Sequence, residues 1–246
     1  MIRTFVILGA VLWAAQAGAV TCERQTHADK RYTICEVDGA ADLRLFLNDE
    51  DGAVLGHFSS VNEVLAPQGK RLAFAMNAGM YHDDRSPVGH YVEDGQEQMR
   101  VIANPGPGNF GLLPNGVFCI REGRADVFET LAFLDQAPQC RFASQSGPML
   151  VIDGELHPRF LPDSTSRFIR NGVGTSADGS RVVFALSEDA VTFYEFGSLF
   201  RDVIDTPNAL FFDGNISRMY DRASNRSDAG FSLGPIVGVV EDAPGN

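Results

Sequence analysis

Lysine is nearly absent from this chain. Only Lys30 and Lys70 occur, and the formal net charge is −12 over 246 residues. A nucleic-acid binder ordinarily presents a basic face, so that class is disfavoured. The single tryptophan, Trp13, sits near the amino terminus, and no long apolar run follows it. A membrane span in the body of the chain is therefore not expected. The four cysteines form no C-x-x-C, which argues against a redox motif or a zinc knuckle. The composition is otherwise that of an ordinary globular protein, 44% hydrophobic and 21% charged, which excludes disorder, collagen and coiled coil.

What is present begins with a leader. Arg3 supplies a positive n-region, Phe5 to Ala15 a short apolar stretch, and Ala17-Gly18-Ala19 a small-x-small cleavage signature. Residues 1–19 read as a signal peptide and residues 20–246 as one domain, with no stable membrane span after cleavage and a periplasmic or secreted destination. All four cysteines lie beyond the leader, where disulfides persist. Of the three possible pairings, Cys22 with Cys35 and Cys119 with Cys140 closes the shorter loops.

Along the chain, 25 glycines and 12 prolines separate short apolar runs, the pattern of many strands joined by turns. Arg31–Val37 and Ala41–Leu47 read as a hairpin turning at Asp38-Gly39. Further hairpins are expected around Glu93-Asp94-Gly95, Glu122-Gly123 and Asp153-Gly154. Arg71–Met76, Arg181–Leu186, Asn208–Phe212 and Gly234–Val240 read as strands. Ser59–Ala66, Thr130–Gln136 and Val191–Ile204 read as helical, the last from Phe193, Phe196, Leu199, Phe200 and Val203 at spacings of mostly three and four. The expected architecture is α+β: a single domain with a large mixed, mainly antiparallel sheet and a few helices.

Several polar clusters close apolar strands, where sites tend to be built. In Asn77–His90, Asn77, Gly79 and His82 suit a substrate loop, whereas Asp83, Asp84 and Arg85 alone make a polar surface turn. Ser146 and Gly147 precede an apolar strand; Ser146 is not in a G-x-S-x-G elbow, and backbone N–H groups beside Gly147 suit an anion. Arg170 and Asn171 lead into Gly172-Val173-Gly174, where glycine permits close backbone approach. Arginine offers a planar fork for phosphate or carboxylate, and a salt bridge explains it equally well. Glu188 follows a strand beside Ser187 and Asp189, either of which can cap the next helix. Asp213 ends a strongly apolar strand beside Gly214, Asn215 and Ser217, where partial desolvation suits a carboxylate to acid/base work; an Asp-Gly turn is the plain alternative.

Taken in order, the segments NAGMY (77–81), PVGHYVEDG (87–95), QSGPMLVIDG (145–154), RNGVG (170–174) and NALFFDGNIS (208–217) resemble the phosphodiester glycosidase family. The family is named for the uncovering enzyme, N-acetylglucosamine-1-phosphodiester α-N-acetylglucosaminidase. The chain is more similar to its exported bacterial branch. The resemblance covers Arg44 to Val240. It implies an α+β catalytic domain that hydrolyses a sugar-1-phosphodiester at the glycosidic side. Carried onto this sequence, it places Arg170 in the family's arginine motif, Asp213-Gly214 in its Asp-Gly motif and Asn77-Ala78-Gly79 in its Asn-x-Gly motif. Asn215 stands where the uncovering enzyme's branch has a glycine, so that enzyme's substrate is not carried across.

The expected function is an exported glycoside hydrolase acting on a sugar-1-phosphodiester or related envelope glycan. Asp213 and Glu188 are its expected carboxylates, Arg170 its phosphate ligand, and Asn77 and His82 its orienting groups. Gly79, Ser146, Gly147, Asn171, Gly214, Asn215 and Ser217 complete the expected substrate contacts. No cofactor and no metal site are expected. The alternative is a non-catalytic periplasmic glycan- or phosphoglycan-binding protein that uses the same loops.

Overall fold

The computed structural model describes residues 20–214 and 216–244. The expected leader and Asn215 lie outside the described residues. The architecture is α+β, and the strands divide among three sheets in which every recorded strand pairing is antiparallel.

A seven-stranded sheet runs in the order Val20–His27, Lys30–Asp38, Arg181–Ser187, Asn171–Thr175, Asn208–Asp213, Met149–Ile152, Glu155–Leu156. A first five-stranded sheet runs Arg226–Ser227, Met219–Asp221, Lys70–Asn77, Ile236–Asp242, Asp42–Phe46. A second runs Gln96–Met99, Tyr91–Glu93, Phe142–Ser146, Gly116–Arg121, Arg124–Glu129. The three sheets share a central core. Phe74 of the first five-stranded sheet packs 5.1 Å from Phe184 of the seven-stranded sheet. Phe118 of the second meets Phe184 at 6.0 Å and Phe212 at 6.1 Å, both edge-on. All four rings are fully buried, each contributing on the order of 2 kcal/mol of apolar transfer.

Three short helices cover the outer faces. Phe58–Leu65 lays Phe58, Val61 and Leu65 on the first five-stranded sheet. Thr130–Gln136 packs Phe133 on the second. Phe193–Leu199, continued as a π-helical segment over Phe200–Ile204, covers the seven-stranded sheet. Its start is set by Thr192, whose hydroxyl accepts from Glu195 N while the Glu195 carboxylate accepts from Thr192 N. Ser187 and Asp189, the caps expected from sequence, are used elsewhere. The Ser187 hydroxyl accepts from Arg170 N, and the Asp189 carboxylate is held by Arg31.

The three hairpins around residues 93–95, 122–123 and 153–154 form as expected. The hairpin expected around Asp38-Gly39 does not. Lys30–Asp38 pairs over eight residues with Val20–His27, a strand not foreseen, while Asp42–Phe46 pairs with Ile236–Asp242 in another sheet. The Asp38-Gly39 bend carries the chain between sheets. A Cβ at Gly39 would lie 2.2 Å from Gly179 O, so only glycine passes that crossing. Both disulfides form as expected, Cys22–Cys35 and Cys119–Cys140. The first joins directly opposed residues of the Val20–His27/Lys30–Asp38 pair.

Candidate active site

Strand ends from all three sheets meet in one hydrogen-bonded lattice behind Asp213. Phe211 and Phe212 are buried on opposite faces of their strand. A bulge follows, with Gly172 opposite Phe211 but Asn171 opposite Asp213. Such an irregularity re-aims the side chain at a strand end. Asn171 begins the neighbouring strand, and its Oδ1 accepts from Asp213 N at 3.1 Å. Its Nδ2 donates at 2.9 Å to both the carbonyl and the Oδ1 of Asn77, the last residue of a strand in the first five-stranded sheet. Asn77 Oδ1 also accepts from Arg218 N at 2.9 Å. Ser146 ends a strand of the second five-stranded sheet, and its hydroxyl donates to Phe212 O at 2.8 Å. The Ser217 hydroxyl donates to Asp213 O at 3.0 Å. Asn77, Asn171 and Ser146 are each 0% exposed. Buried amides satisfied on several sides hold a unique geometry, and removing one leaves its partners desolvated and unpaired.

In front of this lattice Asp213 is half-buried and faces a cleft of about 610 Å³. One wall is the Met80–Val88 loop with Tyr81, His82, Asp83 and Arg85; the others are Asn109 and Phe110, and Ile216 with Phe231. Burial, and then the nearby Asp213 carboxylate, raise the Tyr81 hydroxyl above its ordinary pKa range. Phe231 is 81% exposed, yet its backbone is held. Arg218, whose side chain is largely buried, donates to Phe231 O at 2.7 Å and through two nitrogens to Asp228 O at 2.9 and 2.7 Å.

Arg170 lies behind the cleft floor. It is 1% exposed. Its guanidinium carbon sits 3.6 Å from the centre of the Phe193 ring, with Phe168 and Phe211 at 5.5 and 5.4 Å. Nε donates to Val191 O and Nη2 to Ser166 O. Nη1 is buried without a hydrogen-bond partner among the described residues, and a Cβ on Gly214 would lie 3.6 Å from it. Burial alone lowers its pKa to about 10. It therefore remains a cation at neutral pH, directly beneath Gly214. Phe193 stacks on Phe160 at 5.1 Å and Phe160 on His157 at 4.8 Å, so the guanidinium caps a column of rings.

The expected site residues thus separate into two groups. Asp213 and His82 line the cleft, and Gly214 and Ser217 belong to the segment following Asp213. Asn77, Ser146, Gly147, Asn171 and Arg170 are buried behind it, in the floor rather than in the cleft wall. Gly79 faces inward as well: a Cβ there would lie 2.8 Å from the Ser144 hydroxyl. Gly147 is closed off by Asn115, whose Cβ would lie 2.7 Å from a Cβ at that position. Glu188 is not brought to Asp213. It accepts from the Thr33 hydroxyl and from Arg226, and the Asn171–Thr175 strand stands between it and Asp213 in the sheet. Arginine 226 and threonine 33 come from distant parts of the chain, which sequence spacing does not reveal. The glycines of Gly172-Val173-Gly174 do permit close approach, but by the protein itself: a Cβ at Gly172 would meet Leu210 O of the neighbouring strand at 2.5 Å, and one at Gly174 the Thr206 hydroxyl at 2.4 Å and Phe200 at 2.9 Å.

Tyr81, Arg85, Phe110 and Phe231 were not singled out by sequence. The signals were faint. Arg85 sits among aspartates in a turn, and Phe231 stands alone between Gly230 and Ser232.

The chain belongs to the phosphodiester glycosidase family, whose model matches residues 70–240. It is 34% identical over 178 residues to the uncharacterized protein YigE of Escherichia coli (strain K12), covering 72% of this chain and 69% of that one. Among solved structures, the fold is similar to the zebrafish N-acetylglucosamine-1-phosphodiester alpha-N-acetylglucosaminidase catalytic domain, auto-inhibited by its pro-peptide (TM-score 0.62, 12% identity, 92% of this chain and 85% of that one). It is also similar to a hypothetical protein from Synechocystis (TM-score 0.61, 11% identity, 92% and 62%). A putative exported protein from Burkholderia pseudomallei K96243 matches with a TM-score of 0.55 at 12% identity, over 85% of this chain and 74% of that one.

Proposed function

We propose that the protein is an exported hydrolase that cleaves a sugar-1-phosphodiester, or a related envelope glycan, at its glycosidic bond. The observation that carries this reading is Asp213: a carboxylate at the floor of a cleft, its backbone held by Asn171 and Ser217, with Ser146 on the preceding carbonyl and Asn77 behind Asn171. Family membership supplies the reaction class. In the reaction, water adds to the anomeric carbon, the bond from that carbon to the phosphate oxygen breaks, and a phosphomonoester leaves with free sugar. A phosphate leaving group needs little protonation, so a second carboxylate in the role once expected of Glu188 is not required. Asp213 acts at the anomeric carbon, where such carboxylates serve as nucleophile or as base for water. Arg170 contributes from beneath Gly214 as a fixed positive charge in a low-dielectric setting. Asn77, Asn171 and Ser146 are positioning residues.

Export is supported by the leader-like residues 1–19 and by two disulfides, which persist in oxidising compartments. The same features support a periplasmic or secreted location. No helix among the described residues is long and apolar enough to cross a membrane.

The experiment is product release by the disulfide-intact protein from a panel of sugar-1-phosphodiesters, with Asp213→Asn and Glu188→Gln beside the parent. Free sugar and phosphomonoester are expected from the parent and from Glu188→Gln, and neither from Asp213→Asn. Saturable glycan binding without any product would replace the enzyme by a binding protein.

A further inference from the structure

We propose that Arg85 is the residue that takes the phosphate of the substrate; this rests on the reading of the cleft just given.

Most arginines of this acidic chain are neutralised by carboxylates, as in Arg31–Asp189, Arg124–Asp126, Arg167–Glu195 and Arg226–Glu188. Arg85 is not, although it follows two aspartates in sequence. Asp84 is engaged by the amide and hydroxyl of Ser86. From Asp83, Arg85 takes only the backbone carbonyl, at 2.8 Å from Nη1. Its Nε is buried without a hydrogen-bond partner among the described residues. Its guanidinium lies over the Tyr81 ring, 5.4 Å from the centroid. With Nε enclosed, the edge left to meet a ligand is the pair of Nη atoms, of which the Asp83 carbonyl takes one bond.

The loop presents this side chain firmly. Tyr81 bridges to Pro87, His82 N donates to Ser86 O, Arg85 N donates to His82 O, and Val88 N donates to Met80 O. Arg85 takes φ +74°, a conformation that a bulky residue adopts only where its surroundings impose it. The result is a planar, permanently charged fork in the wall of the cleft whose floor is Asp213. The other arginines near the floor are buried. Arg218 is bonded to the carbonyls of Asp228 and Phe231, and Arg170 is sealed behind Gly214. Two phosphodiester oxygens match the guanidinium fork, and a neutral sugar hydroxyl does not gain the same charge-assisted pair. A phosphate on Arg85 turns the anomeric carbon toward Asp213.

The test compares Arg85→Ala and Arg85→Lys with the parent. The probes are a methyl phosphodiester of a sugar-1-phosphate that the parent cleaves, and the neutral aryl glycoside of the same sugar. Arg85→Ala is expected to raise KM for the phosphodiester about tenfold or more, with kcat and the aryl glycoside changed by less than about threefold. Arg85→Lys is expected to recover part of the loss, because charge returns without the fork. A phosphodiester KM within about twofold of the parent in Arg85→Ala overturns the assignment, while loss of turnover in Asp213→Asn leaves the glycosidase reading standing. Should the parent cleave no substrate, the glycosidase reading fails separately. Titration of the methyl phosphodiester by calorimetry then decides: binding lost in Arg85→Ala supports the site, and binding unchanged, or absent in the parent, overturns it.

Discussion

Polar groups behind Asp213 are closed on one another, and those in front of it are open. The lattice of Asn77, Asn171, Ser146 and Ser217 satisfies its own amides and hydroxyls, and its first three members are closed to solvent. The cleft wall, by contrast, carries an arginine without a carboxylate, a histidine in solvent and a phenylalanine held out by its backbone. Geometry is fixed on one side and recognition is offered on the other. Substitutions behind the floor should therefore register first in stability, and substitutions in the wall first in substrate binding.

The sharpest break of that division is Asn171→Ala. It strips the acceptor from Asp213 N and the donor from two Asn77 oxygens. At about 1–3 kcal/mol for each desolvated group left unpaired, a loss of roughly 3–4 kcal/mol is expected, together with turnover. Urea unfolding measures it, and a loss below about 1 kcal/mol would mean the lattice is not what holds the floor. Next comes Gly172→Ala, whose Cβ would lie 2.5 Å from the backbone carbonyl of Leu210. Overpacking against backbone is expected to cost about 2–3 kcal/mol; an unchanged midpoint in the same unfolding experiment would contradict it.

Glu93 sharpens the comparison from outside the cleft. Its carboxyl, partly buried and accepting from the Tyr91 hydroxyl, is raised to a pKa of about 7, mainly by desolvation. An acid with a raised folded pKa is protonated when folded and ionised when unfolded across the interval from its ordinary value of 4.5 to about 7. Stability is therefore expected to fall as pH rises through that interval and to level off above it. Glu93→Gln keeps an acceptor for Tyr91 and should flatten the slope, gaining about 1–2 kcal/mol at pH 8 after allowance for partial solvent screening. Melting temperature against pH reads it out, and turnover should not follow. An undiminished slope in the variant would assign the titration elsewhere. The smallest stability effect is Phe231→Ala, within about 0.5 kcal/mol because the ring is exposed. Yet KM should rise several-fold if that ring receives the apolar face of the sugar, and an unchanged KM removes it from the site.

Much of the fold was legible in the sequence because its signals are local. Thr130–Gln136 and Val191–Ile204 carry helical spacing, three hairpins carry Asp-Gly or Glu-Gly turns, and Ala209–Phe212 is apolar enough to be a central strand. Pairing the cysteines by short loops also matched. The strand Asn171–Thr175 was not legible as one, since its two glycines weaken any strand signal; they leave room for the Leu210 carbonyl and the Thr206 side chain. The candidate site was legible as positions rather than as roles. Asparagine or serine beside glycine reads as an exposed turn, and nothing in the sequence tells that Asn77 and Ser146 are enclosed by strands from other sheets. The partners of Glu188 were hidden for the same reason, because Arg226 and Thr33 meet it only in three dimensions.

The convergence of three sheets on Asp213 also has a kinetic side. Asn77 and Asn171 are 94 residues apart, Ser146 and Phe212 are 66, and Arg218 closes onto Asn77 across 141. Each contact closes a long stretch of chain, and such closures come late and slowly in folding. No single hairpin or sheet contains the floor. A chain truncated before Arg218, or one with a single sheet undocked, carries every cleft residue up to Asp213 and still lacks the geometry. The carboxylate becomes a site only with the last docking event, so activity is a readout of completed folding, and the amides of Asp213 and Arg218 should exchange with solvent only as fast as the whole domain opens.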